Sequence, residues 1–337
     1  MSALRPLQVG EIVDRSVTWW RRRLWPLFQL ALGFQIAGYA AGKAYEFALT
    51  RWAPLLNDPA QLQVLVKRGF TPDQIRQVAI AGVATFLWAA FVVALSWIAN
   101  VLVSAYAIGE LTGAPITPGA AAKRLLNRTG ALFSVLILGH AWAFLAYLGA
   151  MLPGALLLGV FSLLLEKVPI ASFGALVLAM AAFGFGSLFI FLWYILRFML
   201  APAVVATEAG GGLHAFRRSR ELISGRMGPR FGDRQFIRAT LVLTVMVVVV
   251  LVVGLVTSLP ALIVQTAFGG FGGAGADPTR VPQLLLIPAE LFEVFCASLL
   301  VPLTYVLSAV FYLDARMRRE GLDLELTLDE LQRRIAA

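Results

Sequence analysis

The sequence predicts an all-α membrane protein of about six transmembrane helices, N-in and C-in, with interfacial amphipathic helices on the cytoplasmic side. Three observations carry this. Of 337 residues, 59% are hydrophobic and only 14% are charged, with a mean hydropathy of +0.80. A water-soluble fold needs far more polar surface than that. The charges are also bunched. They leave six uncharged stretches, 24–42, 77–109, 129–165, 168–196, 239–276 and 294–313, each near or above the roughly 20 residues that cross hydrocarbon as a helix. A transmembrane β-barrel would show short alternating segments instead, and none is present.

The third observation is the distribution of basic residues. In a six-span arrangement with the N-terminus inside, 20 of the 28 lysines and arginines fall in the two tails and the two inner loops. Six fall outside (Arg51, Lys67, Arg68, Arg76, Lys167 and Arg280), and Lys43 and Arg197 lie near membrane depth. Short loops rich in Lys and Arg resist translocation, so the bias sets orientation and points to the plasma (inner) membrane. The net charge of +9 also attracts anionic lipid headgroups. Nucleic acid is not an expected partner, because no soluble basic domain or base-stacking module is present.

The elements follow in order. Residues 1–23 read as a cytoplasmic interfacial helix. Val13, Val17, Trp20, Leu24 and Leu27 share one helical face, and Glu11, Asp14, Arg15, Thr18 and Arg22 share the other. Glu11 and Asp14 ahead of the first apolar run argue against a cleaved signal. Residues 24–313 form the six-span bundle. The first outer loop, 51–76, carries turn and cap signals at Asn57–Pro59 and Thr71–Asp73 and is expected to hold a short surface helix. In the third span Pro153 and Gly154 are expected to break the helix, leaving 154–165 as a re-entrant or interfacial piece. The glycine-rich 269–277 reads as a flexible outer loop, and 314–337 as a cytoplasmic amphipathic tail. Basic amphipathic words precede the first, third and fifth spans, around 10–23, 116–128 and 212–225. They suggest three parallel helix-plus-hairpin repeats; the positive-inside rule alone explains the same words.

Few residues offer chemistry. A charge inside a span costs about 2.5–3.5 kcal/mol on insertion scales and marks function by default. Lys43 and Glu46 share a face in the outer part of the first span and are expected to pair. Glu290 and Glu293 flank the start of the sixth span; they read as an interfacial pair in water, or as a proton or cation site. His140 is a lone imidazole near the middle of the third span. Arg197 is expected either to contact lipid phosphate or to pair with Glu208 across the break at Pro202. Arg21, Arg22, Arg23, Arg217, Arg218 and Arg220 form a basic patch suited to anionic lipid. No catalytic, cofactor or metal motif appears: the two histidines lack ligand spacing. Gly270–Gly275 matches a dinucleotide fingerprint without its strand–helix context. Cys296 is the only cysteine and reads as packing.

Three segments resemble a family of bacterial multi-pass proteins carrying the glycerophosphoryl diester phosphodiesterase membrane domain. They are Arg5, Pro6, Leu7, Gly10, Glu11, Ile12 and Asp14; then Arg197, 201–208, Arg218, Ser219, Leu222 and Gly225; then 311–316 with Arg318, Arg319, Glu320 and Asp323. The resemblance implies a stand-alone membrane domain, since phosphodiesterase activity in that family belongs to a separate soluble domain with no counterpart here. The expected function is therefore a non-catalytic scaffold or accessory protein that engages anionic lipid or a cytoplasmic or membrane protein partner. The alternative is a transporter or channel for a small or lipidic solute, with a path lined by His140, Arg197 and Glu290.

Overall fold

The computed structural model describes residues 6–53, 71–164, 169–225, 234–268 and 281–322, with Leu324 and Leu328. The described residues are helical and contain no strand. Their helices are α1 (Val9–Arg22), α2 (Leu24–Trp52), α3 (Pro72–Leu111), α4 (Pro118–Leu126), α5 (Thr129–Leu164), α6 (Pro169–Phe198), α7 (Ala201–Thr207), α8 (Gly212–Ile223), α9 (Gln235–Ala267) and α10 (Gln283–Glu320). The surface helix expected within 51–76 and the loop 269–277 fall largely outside the described residues, as does most of the C-terminal tail.

Five stretches are long and apolar enough to cross a membrane: Pro72–Leu111, Thr129–Ala146, Val177–Thr207, Gln235–Ala267 and Gln283–Glu320. The first expected span differs. Helix α2 has 29 residues, ample length for a crossing at about 1.5 Å per residue. Gln29, Gln35, Lys43, Glu46 and Arg51 dilute its apolar content. The break between α1 and α2 at Arg23 (φ −119°, ψ 24°) separates the amphipathic helix from the apolar one at the expected place. Helix α3 starts as the sequence suggests: Thr71 accepts from the Gln74 backbone, Gln74 reaches back to Thr71, and Pro72 follows the cap.

The chain divides into two compact units. One comprises Met1–Val9, Lys123–Leu243 and Phe311–Ala337; the other comprises Gly10–Ala122 and Thr244–Val310. In the first, α5 and α6 pack as a hairpin and α8 lies against α5, α6 and α7. Tyr194, Phe198 and Phe216 form an aromatic cluster there, with centroids 5.1 and 4.7 Å apart. The Gly212 amide donates to Ser134 Oγ at 2.7 Å. In the second, α2 and α3 pack together; Tyr45 stacks on Trp88 at 5.0 Å and 13°. The Trp20 indole donates to the Leu299 carbonyl at 2.9 Å, Phe28 meets Phe295 edge-on, and Arg23 pairs with Glu110 at 2.8 Å.

The break expected at Pro153 does not occur. Helix α5 runs through Pro153 without interruption to Leu164, so 154–164 continue the helix rather than forming a separate piece. Proline removes one helical donor, a loss that membrane helices tolerate when neighbours support them. The support here is close packing. At Gly154 a side chain would place its first carbon 2.8 Å from the Phe183 ring, so only glycine admits that ring against α5. Gly154→Val is expected to lower the thermal unfolding midpoint of the purified protein, at a cost of roughly 1–3 kcal/mol for overpacking. Gly149→Val, where a side chain would meet nothing within 4 Å, is expected to leave the midpoint unchanged. Equal midpoints for both variants would show that the Phe183 contact does not hold the hairpin.

Candidate functional site

Each unit carries a polar site of its own. In the first, the centre is Asp314, fully buried near the end of α10. Its carboxylate accepts from the Leu7 amide at 2.7 Å, from Arg238 Nη2 at 2.7 Å, and from Arg318 Nε at 3.1 Å. Arg318 sits one turn along from Asp314, which makes the contact a helical i,i+4 pair. Arg238 and Arg318 also each donate to the Leu7 carbonyl at 2.7 Å. Both backbone groups of Leu7 are thereby held on the end of α10.

A second ionic knot belongs to the same unit. Glu208, at the C-cap of α7, accepts from Arg218 Nε at 3.1 Å and from the Tyr312 hydroxyl at 2.8 Å. Arg218 extends to Glu320, which accepts from Arg316 at 2.8 Å. Burial disfavours the charge on Arg218, yet hydrogen bonds and charges from Glu208 and Glu320 outweigh it and hold the guanidinium above its ordinary pKa. Arg128 donates to the carbonyls of Val205 and Glu208, at 2.8 and 2.5 Å, satisfying groups that the end of α7 leaves open. Arg319 does the same for Glu221 and Ser224 at the end of α8. Gly225 follows at φ +110°, and a side chain there would strike the Arg319 guanidinium. Of the three segments that carry the family resemblance, the second and third lie in this unit together with Leu7 of the first, whose Gly10, Glu11, Ile12 and Asp14 belong to the other unit.

The expected Arg197–Glu208 pair does not form. Arg197 lies over the Trp193 ring at 4.6 Å, and its carbonyl accepts from Ser219 Oγ at 2.9 Å. The short helix α7 intervenes and delivers Glu208 to Arg218 instead. His140 lies on α5, and its side chain is outside the described residues. His214 approaches Glu208 to 4.0 Å.

The second site lies in the other unit. Lys43 pairs with Glu46 at 3.0 Å as expected, but also with Glu290 at 2.6 Å. The Tyr39 hydroxyl donates to the other oxygen of Glu290 at 2.9 Å. Glu290 is accordingly 16% exposed and fully engaged, which departs from the carboxylate pair in water expected of Glu290 and Glu293. Glu293 is half-buried and has no hydrogen-bond or ion-pair partner among the described residues. These groups line a cavity of about 450 Å³ with Trp88, Val92 and Val294. No group of three metal-ligating side chains occurs among the described residues.

The basic patch divides. Arg23 and Arg218 are engaged with Glu110, Glu208 and Glu320. Arg21, Arg22, Arg217 and Arg220 are exposed, and Arg217 reaches only Glu221, at 3.8 Å. Asp314, Arg238, Arg318, Glu320 and Tyr39 were not singled out in the sequence as charged or polar partners. A readable signal existed for Asp314 alone: an aspartate closing an apolar run, with an arginine four residues later.

Asp314→Ala removes the charge that Arg238 and Arg318 share, and breaking a buried pair by losing one partner costs about 3–5 kcal/mol. The expected result is a large fall in the unfolding midpoint, with Asp314→Asn intermediate because it keeps the shape and an acceptor. Exposed Asp73, whose contact with Arg76 is 3.7 Å long, serves as the control, and Asp73→Ala is expected to change the midpoint little.

No protein-family model, curated protein or solved structure matches this chain.

Proposed function

We propose that the chain is a non-catalytic multi-pass membrane protein, N-in and C-in with six spans, that engages anionic lipid headgroups through its basic helices as a scaffold or accessory protein of the inner membrane. The observation that carries this reading is the division of the arginines. Arg128, Arg218, Arg238, Arg316, Arg318 and Arg319 make internal bonds. Arg21, Arg22, Arg217 and Arg220 stay exposed, beside apolar side chains that are also exposed. Trp25 is 66% exposed close to Arg22, and Leu213 is 72% exposed on the helical stripe that carries Arg217 and Arg220. Cations beside solvent-facing apolar groups suit a helix lying at a headgroup boundary. The order of elements, a short helix before two long ones at α1–α3, α4–α6 and α8–α10, supports the three-repeat reading.

Each surface Lys or Arg is worth about 1 kcal/mol against an anionic leaflet. In nanodiscs containing phosphatidylglycerol, the wild-type protein is expected to unfold at a higher temperature than in purely zwitterionic discs, and less so in high salt. Arg21→Glu with Arg22→Glu, or Arg217→Glu with Arg220→Glu, is expected to remove most of that gain. A full gain retained in the quadruple variant sinks the reading. One observation favours the transporter or channel alternative: Glu290 lines a cavity that Lys43, Glu46 and Glu293 also line.

A further inference from the structure

The cavity between α2, α3 and the first half of α10 has the dimensions of a ligand pocket, which ordinarily runs to some hundreds of Å³. Its charge is unbalanced. Lys43 faces three glutamates, Glu46, Glu290 and Glu293, and is already bonded to two of them at 3.0 and 2.6 Å. Lys43 and the Tyr39 hydroxyl occupy both oxygens of Glu290. Glu293 stands one turn further along α10, half-buried and without a hydrogen-bond or ion-pair partner among the described residues.

An unpaired carboxylate in such surroundings favours a cation. A bare metal ion fits poorly, since the three glutamates do not form a group that could hold one ion and the space far exceeds one ion. The remaining wall is mostly aromatic and aliphatic, with Gln35 as a further polar side chain. Tyr39 has the Lys43 ammonium over its ring at 5.8 Å, so that face already carries a cation; Trp88, Val92 and Val294 lie along the wall. Gly38 adds room, because a side chain there would meet nothing within 4 Å and helix packing does not demand the glycine.

We propose that this cavity binds an organic ammonium group, with the cation against Glu293 and a short apolar chain along Val92 and Val294. The group is supplied either by a soluble amine or by an aminated lipid headgroup. This inference stands apart from the anionic-lipid reading and involves none of the exposed arginines.

The test uses the full chain in phosphatidylglycerol nanodiscs, titrated calorimetrically with hexylammonium, hexyltrimethylammonium, hexanol and hexanoate after subtraction of empty discs. Saturable binding is expected for the two ammonium compounds and not for hexanol or hexanoate. Glu293→Gln is expected to weaken it by about tenfold, the effect of one lost charge-assisted contact. Gly38→Val is expected to abolish it with no fall in unfolding midpoint, which separates filling the cavity from misfolding. Repeating the titration in discs containing phosphatidylethanolamine identifies the source. Weakened binding there assigns the site to the lipid headgroup, and unchanged binding assigns it to a soluble amine. Wild-type affinity in Glu293→Gln, equal binding of hexanoate or hexanol, or no saturable ammonium binding at millimolar concentration overturns the proposal.

Discussion

A carboxylate removed from water must be given its hydrogen bonds back, and the first unit is arranged around doing this for Asp314. Four donor nitrogens from three separate parts of the chain reach it or the adjacent Leu7 carbonyl: the Leu7 amide, Arg238 Nη2 at the start of α9, and Arg318 Nε and Nη2 on α10 itself. Such a site adds little net energy over an apolar core of equal shape. It does penalise every arrangement that leaves either arginine or the aspartate alone. Glu208 extends the same logic to α7 and α8 through Arg218 and Tyr312. Tyr312, Asp314, Arg316, Arg318, Arg319 and Glu320 follow one another on the last turns of α10, and this one helix end bonds to Leu7, the end of α7, α8 and the start of α9.

How much of this was legible follows from the range over which each interaction acts. Charge gaps predict spans because a membrane helix satisfies its own backbone, and five such helices stand where the gaps are. The capping box at Thr71 is equally local. Lys43 with Glu46 was readable because three residues of helix bring them together; Glu290, 247 residues away in sequence, was not. Pro153 misled because its effect depends on what packs beside it, and the Phe183 ring against Gly154 cannot be read from spacing. Arg197 misled for a related reason: the residues between it and Glu208 form a helix of their own, which redirects Glu208 toward α8.

The basic residues make the same point about charge counting. Topological bias treats all arginines alike, whereas the structure divides them between internal carboxylates or carbonyls and the surface. An arginine capping a helix end, as Arg128 does for α7 and Arg319 for α8, is unavailable to a headgroup whatever side of the bilayer it occupies.

Leu7 and Asp314 are 307 residues apart, and this separation imposes an order on biogenesis. A chain made from its N-terminus presents Leu7 first, Arg238 later and Asp314 only after all the preceding helices have been delivered to the bilayer. Until then the Leu7 amide has no carboxylate to bond, and Arg238 has only the Leu7 carbonyl. A chain truncated before Asp314 would keep its apolar helices yet lack the bonds that tie Leu7 and Arg238 to the last helix.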